Sequence, residues 1–168
     1  MLKDLLDSTK KEFNNIKVIG CHGSAKAYVA AKIFRQIQSN NNISSTVAAV
    51  FPTQRDAIRF MDDLLFFMPD MQSSILYLPG CYIQPLKSLA YHSKTSALRV
   101  SILYKLIELT RSYFVITSID TLLQKSVPKN VLSNAVDLVA NGETIDRDLL
   151  IARLNSNGYV RTSLVEEP

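Results

Sequence analysis

Residues 16–27 read Ile16-Lys17-Val18-Ile19-Gly20-Cys21-His22-Gly23-Ser24-Ala25-Lys26-Ala27, "IKVIGCHGSAKA". An apolar run of strand character leads into a glycine-containing loop, and a segment with helical spacing follows. The order is that of the phosphate loop G-x-x-x-x-G-K-[ST]. There, backbone N–H groups wrap phosphates, the lysine reaches the β/γ-phosphates and a hydroxyl holds Mg²⁺. Gly20 and Lys26 stand where that pattern requires them, with Gly23 and Ser24 inside the loop. Ala25 replaces the second glycine and puts a methyl group where close backbone approach is needed. Ala27 replaces the hydroxyl residue and cannot ligate a metal. Lys26 and the helix N-terminus still favour an anion. The expectation is a loop that kept its architecture and lost its chemistry.

Outward from this stretch, strand-like and helix-like segments alternate. Ile16–Ile19 is the first expected strand, and a helix from Ser24 to about Gln38 carries Val29, Ala30, Ile33, Phe34 and Ile37 on one stripe. Thr46–Phe51, "TVAAVF", reads as a buried strand closed by Pro52. Thr53 to Asp56 resembles a capping box and opens a helix to about Met68, with Ile58, Met61, Leu64, Leu65 and Met68 as its core face. Ile75–Leu78 is a third strand. A helix from about Lys94 to Thr110 presents Leu98, Ile102, Leu103, Leu106 and Leu109, and Tyr113–Thr117 is a fourth strand. Apolar strands alternating with amphipathic helices imply an α/β fold: a parallel sheet with helices on both faces.

After Leu123 the pattern changes. "QKSVPKN" reads as a linker, Ala135 to Glu143 alternates like a strand, and Thr144 or Asp146 can cap a helix through Leu154 that Asn157-Gly158 ends. A strand from Tyr159 is expected next. The expected division is therefore 1–125 and 126–168, the second part being too short to bury a core of its own.

The chain's 168 residues, 47% hydrophobic and 20% charged, fit an ordinary globular balance with a sizeable core. A net charge of +4 is mild for a nucleic-acid module. Cys21 and Cys81 form no disulfide framework and no CxxC pair, which points to a reducing cytoplasm. With Cys21, His22, Cys81 and His92 alone, metal-ligand spacing is missing, and no apolar run reaches the ~20 residues of a membrane span. The N-terminal "MLKDLLDSTKKEF" reads as a short amphipathic helix.

Other constellations are weaker. Asp120, at the end of the fourth strand, is the one placed candidate for the acidic partner of a phosphate loop, but it equally caps a short helix Thr121–Lys125. Lys94, Arg99 and Lys105 read as a solvated helix face, with phosphate binding as the alternative. Tyr77, Tyr82 and Tyr91 read as rings packed at the sheet edge, with base stacking as the alternative. No catalytic residues are assigned.

Four passages together resemble a known family. They are "GCHGSAKAY", "VFPTQRDAIRFMDDLLFFMPD", "KTSALRVSILYKLIELTRSYFVITSIDTLLQK" and "GETIDRDLLIARLNSNGYVRTSLVEEP". Their order is similar to the N-terminal, UvrB-like module of the bacterial transcription-repair coupling factor (Mfd), whose phosphate loop is degenerate where that of UvrB is intact. The resemblance implies a RecA-like half-domain over 1–125. It implies the truncated beginning of an inserted UvrA-binding-type domain over 126–168, with most of the UvrA contact surface and the damage-clamping β-hairpin missing. It further implies a non-catalytic interaction and regulatory module in transcription-coupled nucleotide excision repair, recruiting UvrA and able to hold other domains inactive. Family members engage RNA polymerase and double-stranded DNA, and bind ATP and Mg²⁺, through domains beyond this stretch, so no cofactor is expected here. The competing readings are a small phosphate-loop ATPase and a DNA-binding α/β module.

Overall fold

The computed structural model describes residues 15–40, 44–80, 93–135, 142 and 144–162. The N-terminal amphipathic stretch, the segment carrying Cys81, Tyr82, Tyr91 and His92, and nearly all of the strand expected at 135–143 lie outside the described residues. The chain divides into two compact units, Met1–Ser126 and Val127–Pro168.

The first unit is built on three parallel strands. β1 is Thr46–Phe51, β2 is Ile75–Tyr77 and β3 is Tyr113–Ser118. Their order is β1-β3-β2, so the last strand in sequence lies in the middle. Val47 pairs with Phe114 and Ala49 with Ile116 on one side, and Ile75 pairs with Phe114 and Leu76 with Val115 on the other. All six residues of β3 are buried. A central strand covered on both faces has no use for alternation, which explains the unbroken "YFVIT".

Two helices cover one face. α1 (Ala25–Asn40) follows the glycine loop, and α2 (Gln54–Phe67) follows β1. Ala27, Ala31 and Phe34 of α1 join Ala57, Phe60 and Leu64 of α2, Met68, Ile75, Phe114 and Ile116 in one apolar cluster. Phe34 meets Phe114 edge-on with ring centroids 5.4 Å apart, a preferred aromatic geometry. Alanines at 27, 31 and 57 let the helices approach closely. The core face of α2 is rotated from the expected one: Ala57 and Phe60 are buried, whereas Ile58 is exposed. α1 is likewise centred on Ala27, Ala31 and Phe34, while Val29, Ala30, Ile33 and Ile37 are only half-buried.

The opposite face carries α3 (Ser93–Glu108), where Ile102 is buried with Leu76, Leu78, Tyr113 and Val115, and Leu106 and Leu109 pack alongside. Leu98, expected on this side, is exposed. Leu109 closes α3 with φ +42°, a left-handed turn usually given to glycine. Its side chain packs against the Ile102 cluster, which offsets that cost. The parallel sheet with helices on both faces is the α/β architecture expected, and it agrees with a RecA-like half-domain.

Local signals explain the boundaries. The Thr53 hydroxyl accepts from the Asp56 N–H at 3.2 Å and donates to the Asp56 carboxylate at 2.7 Å, so the capping box is closed hydroxyl to carboxylate. Pro69 starts a 3₁₀ turn, Pro69–Ser74, that delivers the chain to β2. Arg35 and Asp70 pair at 2.8 Å on the surface, an exposed contact of less than about 1 kcal/mol.

Three expectations need correction. Ile16–Ile19 forms no strand; it has no ladder partner among the described residues and is exposed. β1 is not buried throughout, because Thr46, Ala48 and Val50 face solvent while Val47, Ala49 and Phe51 are half-buried against the core. The passage read as a linker, 124–130, runs into a helix, α5 (Lys129–Ala135), and the short helix expected at Thr121–Lys125 is α4 (Ile119–Leu122). Pro128 hid α5, since proline was read as a break although it is equally at home just before a helix.

The second unit contains α5 and α6 (Arg147–Ser156). Asp146 caps α6, its carboxylate accepting from the N–H groups of Asp148 and Leu149 at 3.0 and 3.1 Å. Gly158, at φ +90°, ends α6 as expected, with the Tyr159 N–H reaching back to the Leu154 carbonyl. Residues 159–162 are not in a strand.

Truncating Ile116 to Ala should cost about 2–5 kcal/mol, because a cavity opens beneath the central strand. Val50→Thr on the open face should stay within about 0.5 kcal/mol. Urea denaturation followed by circular dichroism measures both.

Candidate functional site

Parallel α/β sheets bind ligands beyond the carboxyl ends of their strands. A polar cluster formed where β2 and β3 end lies in that setting here; the glycine loop that opens α1 is the second candidate.

The loop runs through Gly20 and Gly23, at φ +85° and +53°. A Cβ at either position would meet nothing within 4 Å, so backbone conformation rather than crowding calls for glycine. The Ala25 N–H donates to the His22 carbonyl at 3.2 Å, and the Tyr28 N–H to the Ser24 carbonyl at 3.1 Å, which sets α1 going immediately after the turn. Ser24, Ala25 and Lys26 are exposed, as is His22, while Cys21 is a half-buried free thiol.

Ala27 is the informative position. It is fully buried, and its methyl group belongs to the apolar cluster with Ala31 and Phe34. The position that holds the metal hydroxyl in a working phosphate loop is therefore part of the core. Asp120 lies in the first turn of α4, exposed, and is not a cap; Ser118 occupies the cap position. Among the described residues no three His, Cys, Asp or Glu side chains converge on a possible metal site. Ala27 offers no hydroxyl to a Mg²⁺ ion, and no chemical step is assigned to one.

The polar cluster escaped the sequence reading. Ser118 and Thr121 are buried and joined hydroxyl to hydroxyl at 2.9 Å. Thr117 donates to the Leu78 carbonyl at 3.0 Å, tying β3 to the exit of β2. Gly80 lies against the cluster: a Cβ there would stand 2.6 Å from Gln54 Nε2, 3.0 Å from Thr121 Oγ1 and 3.4 Å from Gln124 Nε2. The Gln54 amide nitrogen is buried without a hydrogen-bond partner among the described residues. Side chains from the start of α2, from α4 and from the segment after it thus crowd one glycine, and a side chain there would have to displace them. The available signal was Pro79-Gly80, together with small hydroxyl residues at the end of a buried strand.

The basic side chains separate. Arg99, only 8% exposed, points inward and donates to the Pro79 carbonyl. It anchors α3 to the end of β2 and is no part of a solvated face. Lys94 and Lys105 remain exposed on the same helix, three turns apart. Two isolated lysines do not make a phosphate-tracking stripe. Tyr77 is half-buried in β2 and packs on the Phe114 cluster. Tyr104 donates to the Glu108 carboxylate, and that hydrogen bond holds its phenol above the usual range. No helix among the described residues is long and apolar enough to cross a membrane.

Gly80→Ala should destabilise by about 1 kcal/mol, since the Gln54 amide can swing away but the Thr121 hydroxyl is held. Arg99→Met should cost about 2 kcal/mol by leaving the Pro79 carbonyl without its charged donor. Ala27→Thr should destabilise as well, because a hydroxyl enters the apolar cluster. Chemical denaturation of the three variants gives the ranking.

No family model matches the chain, and no solved structure matches it. Two curated relatives do. The transcription-repair-coupling factor of Escherichia coli (strain K12) is 26% identical over 121 residues, covering 72% of this chain and 10% of the relative. That of Myxococcus xanthus is 26% identical over 156 residues, covering 90% of this chain and 12% of the relative. The chain therefore spans about a tenth of the length of the curated relatives it matches. Over most of its length, this chain is similar to a short portion of the transcription-repair-coupling factors.

Proposed function

We propose that this chain acts in transcription-coupled repair as a non-catalytic interaction module, an α/β unit that contributes binding surface rather than chemistry. The observation that carries the reading is similarity to two transcription-repair-coupling factors over 72% and 90% of the chain. Supporting it, Ala27 occupies the metal-hydroxyl position of the phosphate-loop pattern and is fully buried in the core. A regulatory module of this kind would recruit UvrA to the place where transcription has stopped. Hydrolysis of ATP, movement on DNA and contact with RNA polymerase would belong to other parts of a coupling factor.

The exposed apolar residues of the second unit support a partner-binding role for 126–168. Leu149, Tyr159 and Val160 are all exposed on α6 and the segment after it. Single exposed apolar side chains are ordinary, but with Leu154 there are four large ones within twelve residues, the kind of surface that partners cover.

Two measurements test the proposal. The thermal midpoint of the chain should not move with millimolar Mg·ATP, whereas a ligand at about a hundred times its dissociation constant adds roughly 2.7 kcal/mol, or several degrees. A clear Mg²⁺-dependent rise would replace the proposal with a nucleotide-binding one. UvrA titrated against labelled chain should give saturable anisotropy that Tyr159→Ser with Val160→Ser weakens at least about tenfold, a loss of ~1.4 kcal/mol. Binding unaffected by that pair would remove the second unit as the contact surface.

A further inference from the structure

The outer side of the layer formed by α1 and α2 carries a run of aromatic rings open to solvent. Tyr28 of α1 meets Phe67 edge-on with ring centroids 5.5 Å apart, and Phe66 meets Phe67 in the same way at 5.3 Å. Lys32 Nζ lies 5.6 Å from the Tyr28 ring centroid and extends the run along α1. Phe66 stands two positions beyond the buried Leu64, which puts it on the side of α2 turned away from the sheet. It is 80% exposed and Tyr28 is 42% exposed, while the half-buried Phe67 joins them into one patch. Single exposed rings are ordinary, but rings in mutual contact make a continuous apolar surface.

Charge divides about this patch. α1 holds Lys26, Lys32 and Arg35 and no acidic residue. The second half of α2 holds Asp62 and Asp63 and no basic residue, since Arg55 and Arg59 lie nearer its start. Asp62 shares the side of Phe66, and Asp63 that of Phe67, each four residues before its ring. Arg35 is satisfied within the chain by Asp70 at 2.8 Å. Lys32, Asp62 and Asp63 have no ion-pair partner among the described residues. The surface is therefore basic on its α1 edge, acidic on its α2 edge and aromatic between them.

A contact across a two-fold axis has to be self-complementary, because each edge of the surface meets the opposite edge of its copy. A partner of a single charge sign would be attracted by one edge here and repelled by the other. We propose that this face is a self-association surface, on which a second copy of the chain sets its Asp62 and Asp63 against Lys32 while the Phe66 rings meet at the axis. Burial of Phe66 and Tyr28 supplies the apolar centre of the contact, and the charged edges fix the orientation of the two copies. A surface of this size makes a weak, concentration-dependent dimer rather than an obligate one. The inference rests on ring contacts, exposure and charge, and stands apart from the proposed repair function.

Sedimentation equilibrium of the full chain tests it. The average mass should rise from monomer toward dimer as concentration increases. Phe66→Ser, which leaves the core untouched, should weaken association at least about tenfold. Lys32→Glu alone, and Asp62→Lys with Asp63→Lys alone, should each weaken it too, because like charges then face one another. An equimolar mixture of those two charge variants should recover native association, since both edges are paired again, which a loss of folding would not allow. A chain that stays monomeric up to about 1 mM would overturn the proposal. So would association that Phe66→Ser leaves unchanged, or charge variants that fail to restore one another.

Discussion

The burial of β3 is the constraint on which the rest of this molecule depends. Six consecutive residues, Tyr113 to Ser118, are withdrawn from water, and the side chains of the first four alternate between two separate apolar clusters. Phe114 and Ile116 meet α1 and α2; Tyr113 and Val115 meet α3. Each strand neighbour is aligned by this ladder, and α1, α2 and α3 have to reach it. Backbone groups buried at such depth need partners, and a parallel ladder on both sides supplies them.

The same strand decides the chemistry at its end. Where β3 runs out of apolar residues, Thr117, Ser118 and Thr121 spend their hydroxyls on the Leu78 carbonyl and on each other. Gly80 and Gln54 close over them. In a region that binds ligands in many parallel sheets, these hydroxyls are used in hydrogen bonds within the protein. Arg99 follows the same logic, since its charge is directed at the Pro79 carbonyl and holds α3 in place. Of the polar residues that the sequence offers as candidates for binding, Arg99 is given to this structural task, while Ser24, Lys26, Lys94, Lys105 and Asp120 stay exposed.

Much of the first unit was legible in the sequence because its signals are local. β1 was located to the residue by its β-branched content and by Pro52. Thr53 and Asp56 marked the start of α2, and Asp146 and Gly158 bracketed α6, since caps and left-handed turns are chosen by one or two side chains. The phase of the buried faces was less legible. Hydrophobicity ranks Ile58 above Ala57 and Leu98 above Arg99, yet Ala57 and Arg99 are buried and their neighbours are exposed. Close approach favours the small side chain, and an unpaired strand-end carbonyl draws in the charged one. α5 was missed because Pro128 reads as a break from either direction.

By itself the sequence determined the class of fold, the alternation of strand and helix, and the absence of a hydroxyl at position 27. Those depend on composition and spacing, which the chain carries wherever it goes. Only the tertiary structure decided that β3 is central, that Ala27 is a core residue, and that Ile16–Ile19 stands unpaired. Strand order and face depend on which surfaces meet across long sequence separations. A residue's own neighbours in the chain hold no record of that.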